Sequence, residues 1–124
     1  MIEHVLLKRG TKFEIRALRR PSDQDSLVKQ YFGSLERRQR KKIHRRISVL
    51  AEMGPAPHRE KFGKLKGFSG LYELKEKPSR IFFFYHGKGV IVMTHGFDKS
   101  GDETPPEEID RALGLREMYL AKYG

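Results

Sequence analysis

The chain has 124 residues, no cysteine and a formal charge of +10, with 26 Lys+Arg against 16 Asp+Glu. That length reads as a single domain, 1–124, with residues 1–10 an uncertain extension, and it suffices to bury a core without staples. The missing thiols exclude disulfides, thiolate metal sites and a cysteine nucleophile. No run reaches transmembrane length and MIEHVLLKRG is too polar for a signal peptide, so a cytoplasmic protein that stays off membranes is expected.

The basic excess points to a polyanionic partner, and it is uneven. Residues 36–46, ERRQRKKIHRR, hold seven basic side chains against one acid, whereas residues 98–110, DKSGDETPPEEID, hold six acids against one lysine.

In chain order, TKFEIRAL (11–18) alternates Phe13, Ile15 and Ala17 with charged residues, the pattern of a strand with one buried face. After Pro21, Ser22 and Asp25 form a capping signal ahead of Leu27, Val28, Tyr31, Phe32 and Leu35 at helical spacing. A break at Gly33-Ser34 precedes a second helix carrying Ile43, Ile47 and Leu50, stopped by Gly54-Pro55. The two helices should form a hairpin. Arg37, Arg40 and Lys41 on the second are candidates for phosphate contacts, since cationic side chains meeting phosphates release counterions; a solvated face is the plain alternative.

PAPHREKFGKLKGFSG (55–70) is rich in Gly and Pro and reads as a basic loop. Three strands should follow in an antiparallel meander: LYELKEK (71–77), RIFFFYH (80–86) and VIVMTHGF (90–97). Thr104-Pro105-Pro106-Glu107 then provides Thr at the N-cap, Pro at N1 and Glu at N3 of a third helix bearing Ile109, Ala112, Leu113 and Leu120. The order β-α-α-β-β-β-α describes an α+β domain, a helical hairpin and a C-terminal helix packed on a small, mostly antiparallel sheet.

Turn lengths set the register. A Pro78-Ser79 turn places Lys77 opposite Arg80, and a Gly87-Lys88 loop places Arg80 opposite His95, so Glu73, Lys75, Arg80 and His95 would share a face. Such a set suits RNA cleavage, where a 2′-hydroxyl loses a proton, a dianionic phosphorane is stabilised and a 5′-oxygen is protonated. There is no Gly-rich phosphate loop and no metal-ligand spacing, so neither cofactor nor metal is expected. Each residue also has a plainer role open to it: His95 as a hydrogen-bonding strand end, Glu73 as a cross-strand partner of a lysine, Lys64 and Lys66 as loop lysines, Phe82 to Tyr85 as core. Phe97 should pack against the C-terminal helix.

KLKG at 64–67, GLYELK at 70–75, Arg80 before IFFFY, and HGFDKS at 95–100 before a Thr-Pro helix start together resemble the RelE/HigB superfamily of toxins, in its phage-derived HigB-like group. The resemblance implies the toxin of a type II toxin–antitoxin pair, an endoribonuclease cutting mRNA on the ribosome without metal, with an antitoxin that often carries a helix-turn-helix. By position it implies that Lys64, Lys66 and Lys75 approach RNA phosphates, that Glu73 and Arg80 line the site, and that His95 and Lys99 sit at its edge. Arg80 would stabilise the transition state, with His95 or Glu73 as acid or base. Lys75 stands where the pattern has arginine and Ser100 where it has a second lysine; both weaken phosphate binding. Two rivals are a ParE-like inhibitor of DNA gyrase, which shares the fold without a nuclease set, and a basic nucleic-acid-binding module.

Overall fold

The computed structural model describes residues 1–124. The elements are β1 (Glu3–Arg9), β2 (Glu14–Arg19), α1 (Leu27–Phe32), α2 (Arg37–Met53), a 3-10 segment (Ala56–Lys61), β3 (Phe62–Lys64), β4 (Tyr72–Glu76), β5 (Ser79–Tyr85), β6 (Val90–Asp98) and α3 (Pro106–Tyr123). They build one six-stranded sheet in the order β1-β2-β6-β5-β4-β3, antiparallel except where β2 meets β6. The expected α+β architecture is the one observed.

Three layers result. Ile15, Ala17, Ile81, Phe83 and Met93 point to one face of the sheet, where Val28, Phe32, Ile43, Ile47 and Leu50 of the helical hairpin cover them. Phe82, Phe84, Val92 and Phe97 point to the other, beneath Ile109, Ala112, Leu115 and Tyr119 of α3. A strand covered on both faces needs no polar alternation, which is why IFFF at 81–84 is continuously apolar. Phe97 packs against α3 as expected.

Two strands lie outside the sequence reading. β1 covers the uncertain first ten residues; its register shifts between Leu6 and Lys8, so its side chains follow no clean alternation. β3, only three residues long, lies inside the segment read as a loop. Caps moved as well. Ser26, not Ser22, caps α1, its side chain accepting from the Lys29 N–H at 3.1 Å, because the helix begins directly after it; Ser22 and Asp25 lie in the preceding turn region. Pro105, not Thr104, precedes the first residue of α3 and offers no side-chain acceptor. On α3 the buried stripe runs through Leu115 and Tyr119, and Leu120 is 41% exposed.

Candidate active site

The β4–β5 turn is Lys77-Pro78, so Lys75 lies opposite Arg80 and Glu73 opposite Phe82. The expected Lys77–Arg80 pair is therefore two residues out of register. An even slip preserves facing, and Glu73, Lys75 and Arg80 do share one face, the α3 face. That face is closed: Glu73 is 4% exposed and Arg80 7%. Arg80 Nε stands 3.9 Å from Glu73 Oε1, an ion pair too long for a hydrogen bond. Arg80 Nη1 donates to its neighbour's Ser79 carbonyl at 3.0 Å, while Nε has no hydrogen-bond partner at all. A buried donor left unpaired costs about 1–3 kcal/mol and is available to an incoming acceptor. Thr104 Oγ1 donates to the other Glu73 oxygen at 3.4 Å, tying the loop before α3 to β4. Lys75 lies along Gly63 of β3, its Nζ 3.0 Å from where a Cβ would stand, so glycine there gives the lysine its path.

MTHGFD closes β6, with Lys99 and Ser100 just beyond it, and several of these residues have structural tasks. Ile81 pairs with Gly96 and Phe83 with Met93, so Thr94 and His95 together oppose the single residue Phe82, a β-bulge. The β5–β6 loop is Gly87-Lys88-Gly89, one residue longer than read, because Tyr85 pairs with Ile91; that residue and the bulge together bring Arg80 opposite Phe97 and not His95, a correction to the register read from sequence. His95 is 1% exposed, with its ring 5.8 Å from that of Phe82 and 5.9 Å from that of Phe97. Its Nε2 lies 3.0 Å from Glu108 Oε1 of α3 and its Nδ1 3.1 Å from Thr94 Oγ1. Burial lowers its pKa, outweighing the opposing pull of Glu108. The neutral ring then donates from Nε2 to the carboxylate and accepts at Nδ1 from the Thr94 hydroxyl. His95 thus joins sheet to helix and does not lie at an open rim.

Gly96 faces the hairpin, where a Cβ would run into the Tyr31 ring. Close approach fixes Tyr31, whose hydroxyl is shared between Ser79 Oγ, at 2.6 Å, and the Asp98 carboxylate. Burial, and then Asp98, push the Tyr31 pKa well above the ordinary phenol value. Lys99 is half-buried, and its backbone N–H donates to Pro78 O at 2.8 Å, placing it beside the β4–β5 turn at the Arg80 end of the sheet.

The remaining basic candidates are dispersed. Lys64 and Lys66 are exposed along an open hollow of about 600 Å³ lined by residues 64–69, and pairing opposite Tyr72 turns Lys64 to the hairpin side of the edge strand. Arg37 and Lys41 are exposed on α2, across the sheet from Glu73 and Arg80. Arg40 is committed locally, donating to the Phe32 and Leu35 carbonyls at 3.3 Å each. The structure therefore brings together Glu73, Lys75 and Arg80, sets His95 and Lys99 at the end of the neighbouring strand, and leaves the basic helix on the opposite layer. Thr104, read in sequence only as a helix cap, and Glu108, not singled out there, complete the group; neither obeys a spacing rule, because each reaches the site through the β6–α3 connection. No three His, Asp or Glu side chains gather as metal ligands. No helix is long and apolar enough to cross a membrane.

A family model described as Phage derived protein Gp49-like (DUF891) matches residues 30–117, from α1 into the later turns of α3. The chain belongs to this family. Its members are in general RelE/HigB-like toxins, in keeping with the α+β fold. The matched span of this Gp49-like protein contains Glu73, Lys75, Arg80, His95, Lys99 and Glu108. No curated protein matches the chain.

Proposed function

We propose that this Gp49-like protein is the toxin of a type II toxin–antitoxin pair and that it cleaves ribosome-bound mRNA without a metal. The observation that carries the reading is the Arg80 guanidinium, paired loosely with Glu73 at 3.9 Å and holding an unpartnered Nε, with Lys75 directly across the strand pair. Glu73 is the base that takes the 2′ proton; the 2′-oxygen attacks phosphorus, and Arg80 and Lys75 stabilise the dianionic phosphorane. The 5′-oxygen leaves with a proton, for which the Lys99 ammonium is the donor because His95 is neutral and its Nε2 proton is held by Glu108, giving a 2′,3′-cyclic phosphate and a 5′-hydroxyl. With Glu73, Arg80 and His95 at 4%, 7% and 1% exposure, a phosphate enters only when the 101–105 segment and the first turn of α3 lift from the sheet. The cognate antitoxin, in this reading a helix-turn-helix protein with an acidic surface, matches the +10 charge.

The burial of the same three residues favours a second reading, in which they form a structural polar layer and the protein acts as a ParE-like gyrase inhibitor or a basic nucleic-acid-binding module. Analysis of RNA product termini separates the two. Cyclic phosphate ends that disappear with Arg80→Ala support the nuclease; intact RNA with wild-type protein on active ribosomes, together with inhibition of gyrase supercoiling, supports the alternative.

A further inference from the structure

On the hairpin face, α2 ends at Met53, and the adjoining end of the sheet carries aromatic rings. Phe13 leads into β2, Tyr85 ends β5 and Tyr72 opens β4. The Phe13 and Tyr85 centroids are 5.7 Å apart, and Tyr72 meets Tyr85 edge-on at 5.0 Å. Below them Phe83 is fully buried, stacked against Tyr72 at 5.6 Å. All three upper rings are only half-buried. Elsewhere the Tyr31 hydroxyl is committed to Ser79 and Asp98 and that of Tyr119 to His86. Those of Tyr72 and Tyr85 meet no protein group, and neither is a buried orphan, so both open to water.

Lysines border this ledge on three sides. Lys12 precedes Phe13, its carbonyl against the Gly89 turn and its side chain passing Gly54 at the end of α2, Lys88 sits in the β5–β6 turn just beyond Tyr85, and Lys64 is directly opposite Tyr72. Glu76 of this edge pairs with Lys61 at 3.5 Å and with Arg46 at 3.1 Å, and none of those three lysines takes part in an ion pair. A core margin is served by aliphatic or phenyl groups; tyrosines with free hydroxyls among unpaired lysines have the composition of a single-strand platform, where bases stack on rings and cations follow the backbone.

We infer that this ledge binds single-stranded RNA, with bases on Tyr85 and Tyr72 and phosphates at Lys12, Lys64 and Lys88. From Phe13 at β2 to Lys64 on β3 is four interstrand steps, roughly 19 Å, room for a few nucleotides. The path continues around the β3 edge: Lys64 faces the ledge, the hollow at residues 64–69 turns the corner, and Lys75 lies over Gly63 on the α3 face beside Arg80. A message seated on the ledge is thereby led to the proposed cleavage site, so the inference rests on the nuclease reading for its purpose but not for its test.

The test is fluorescence anisotropy of the full chain with a labelled 12-nucleotide 2′-O-methyl RNA, which cannot be cut through its 2′ position. Tyr72→Leu and Tyr85→Leu should each weaken binding roughly 5–150-fold, the worth of one stacked base, while Tyr72→Phe and Tyr85→Phe bind like wild type. The combined Lys12→Gln, Lys64→Gln and Lys88→Gln variant should flatten the salt dependence by about two units of log–log slope. Leucine variants that melt like wild type and bind RNA unchanged would overturn the inference, as would phenylalanine variants as weak as the leucine ones. Should a leucine variant fail to fold, 4-thiouridine crosslinking to wild type decides: adducts on the Tyr72 or Tyr85 peptides support the ledge, and adducts confined to α2 or α3 overturn it. Ledge-dependent binding without any RNA cleavage leaves the ledge standing and removes the nuclease.

Discussion

His95, at the bulge of β6, donates a hydrogen bond to Glu108 in the first turns of α3 across 3.0 Å. With the Thr104–Glu73 bond at 3.4 Å, it fastens the start of α3 over Arg80. Glu108→Ala should therefore leave a buried imidazole donor unpaired and cost about 1–3 kcal/mol in urea unfolding. Hydrogen exchange should quicken in residues 106–112, ahead of the central strands. Unaltered exchange there would show that the helix is held by its apolar stripe alone.

Acid should destabilise the fold. His4, His44 and His95 all have pKa values lowered in the native state, in each case chiefly by burial. The unfolded chain therefore binds more protons than the native one once pH falls below the ordinary histidine value of about 6.5, and stability declines from there downward until the native rings also protonate. The melting temperature should be lower at pH 5.5 than at pH 7.5; a rise over that interval would contradict these environments.

Gly96→Ala should lower stability by about 1–3 kcal/mol, because the methyl displaces the Tyr31 ring and with it the contacts to Ser79 and Asp98. The effect should shrink in a Tyr31→Ala background, since the two residues are in contact and their energies couple. Equal cost in both backgrounds would locate the strain elsewhere.

Arg80→Lys should cut more slowly than wild type by roughly 10²–10³-fold if the guanidinium stabilises the phosphorane, and Glu73→Gln should remove the base without removing the side chain's bulk. Single-turnover cleavage of a ribosome-bound message measures both. Comparable rates in Arg37→Gln are expected, because Arg37 lies on the other layer.

Much of this was legible in the sequence. Helical spacing at Ile43, Ile47 and Leu50, the glycine stops and the apolar run at 81–85 mark elements that depend on local pattern, and they recur as α2 and the buried centre of the sheet. The parity that puts Glu73, Lys75 and Arg80 on one face survived an error in turn placement because the slip was even. What escaped was set by tertiary structure. A bulge at Thr94-His95 cannot be read from sequence, and together with a β5–β6 loop one residue longer than expected it moved Phe97 opposite Arg80. The burial of that charged face depends on where α3 crosses, which its own periodicity does not state. β3 is too short to carry a period, and Glu108 reached His95 from an acidic segment that looked unrelated to the site.

The most direct test of the nuclease is to map 5′ ends by primer extension on a message incubated with purified protein, with and without translating ribosomes, alongside Arg80→Ala. The expected result is a set of ribosome-dependent cuts within A-site codons, absent from the variant. Cuts that persist undiminished in Arg80→Ala, or no cuts by the wild-type protein on active ribosomes, would contradict it.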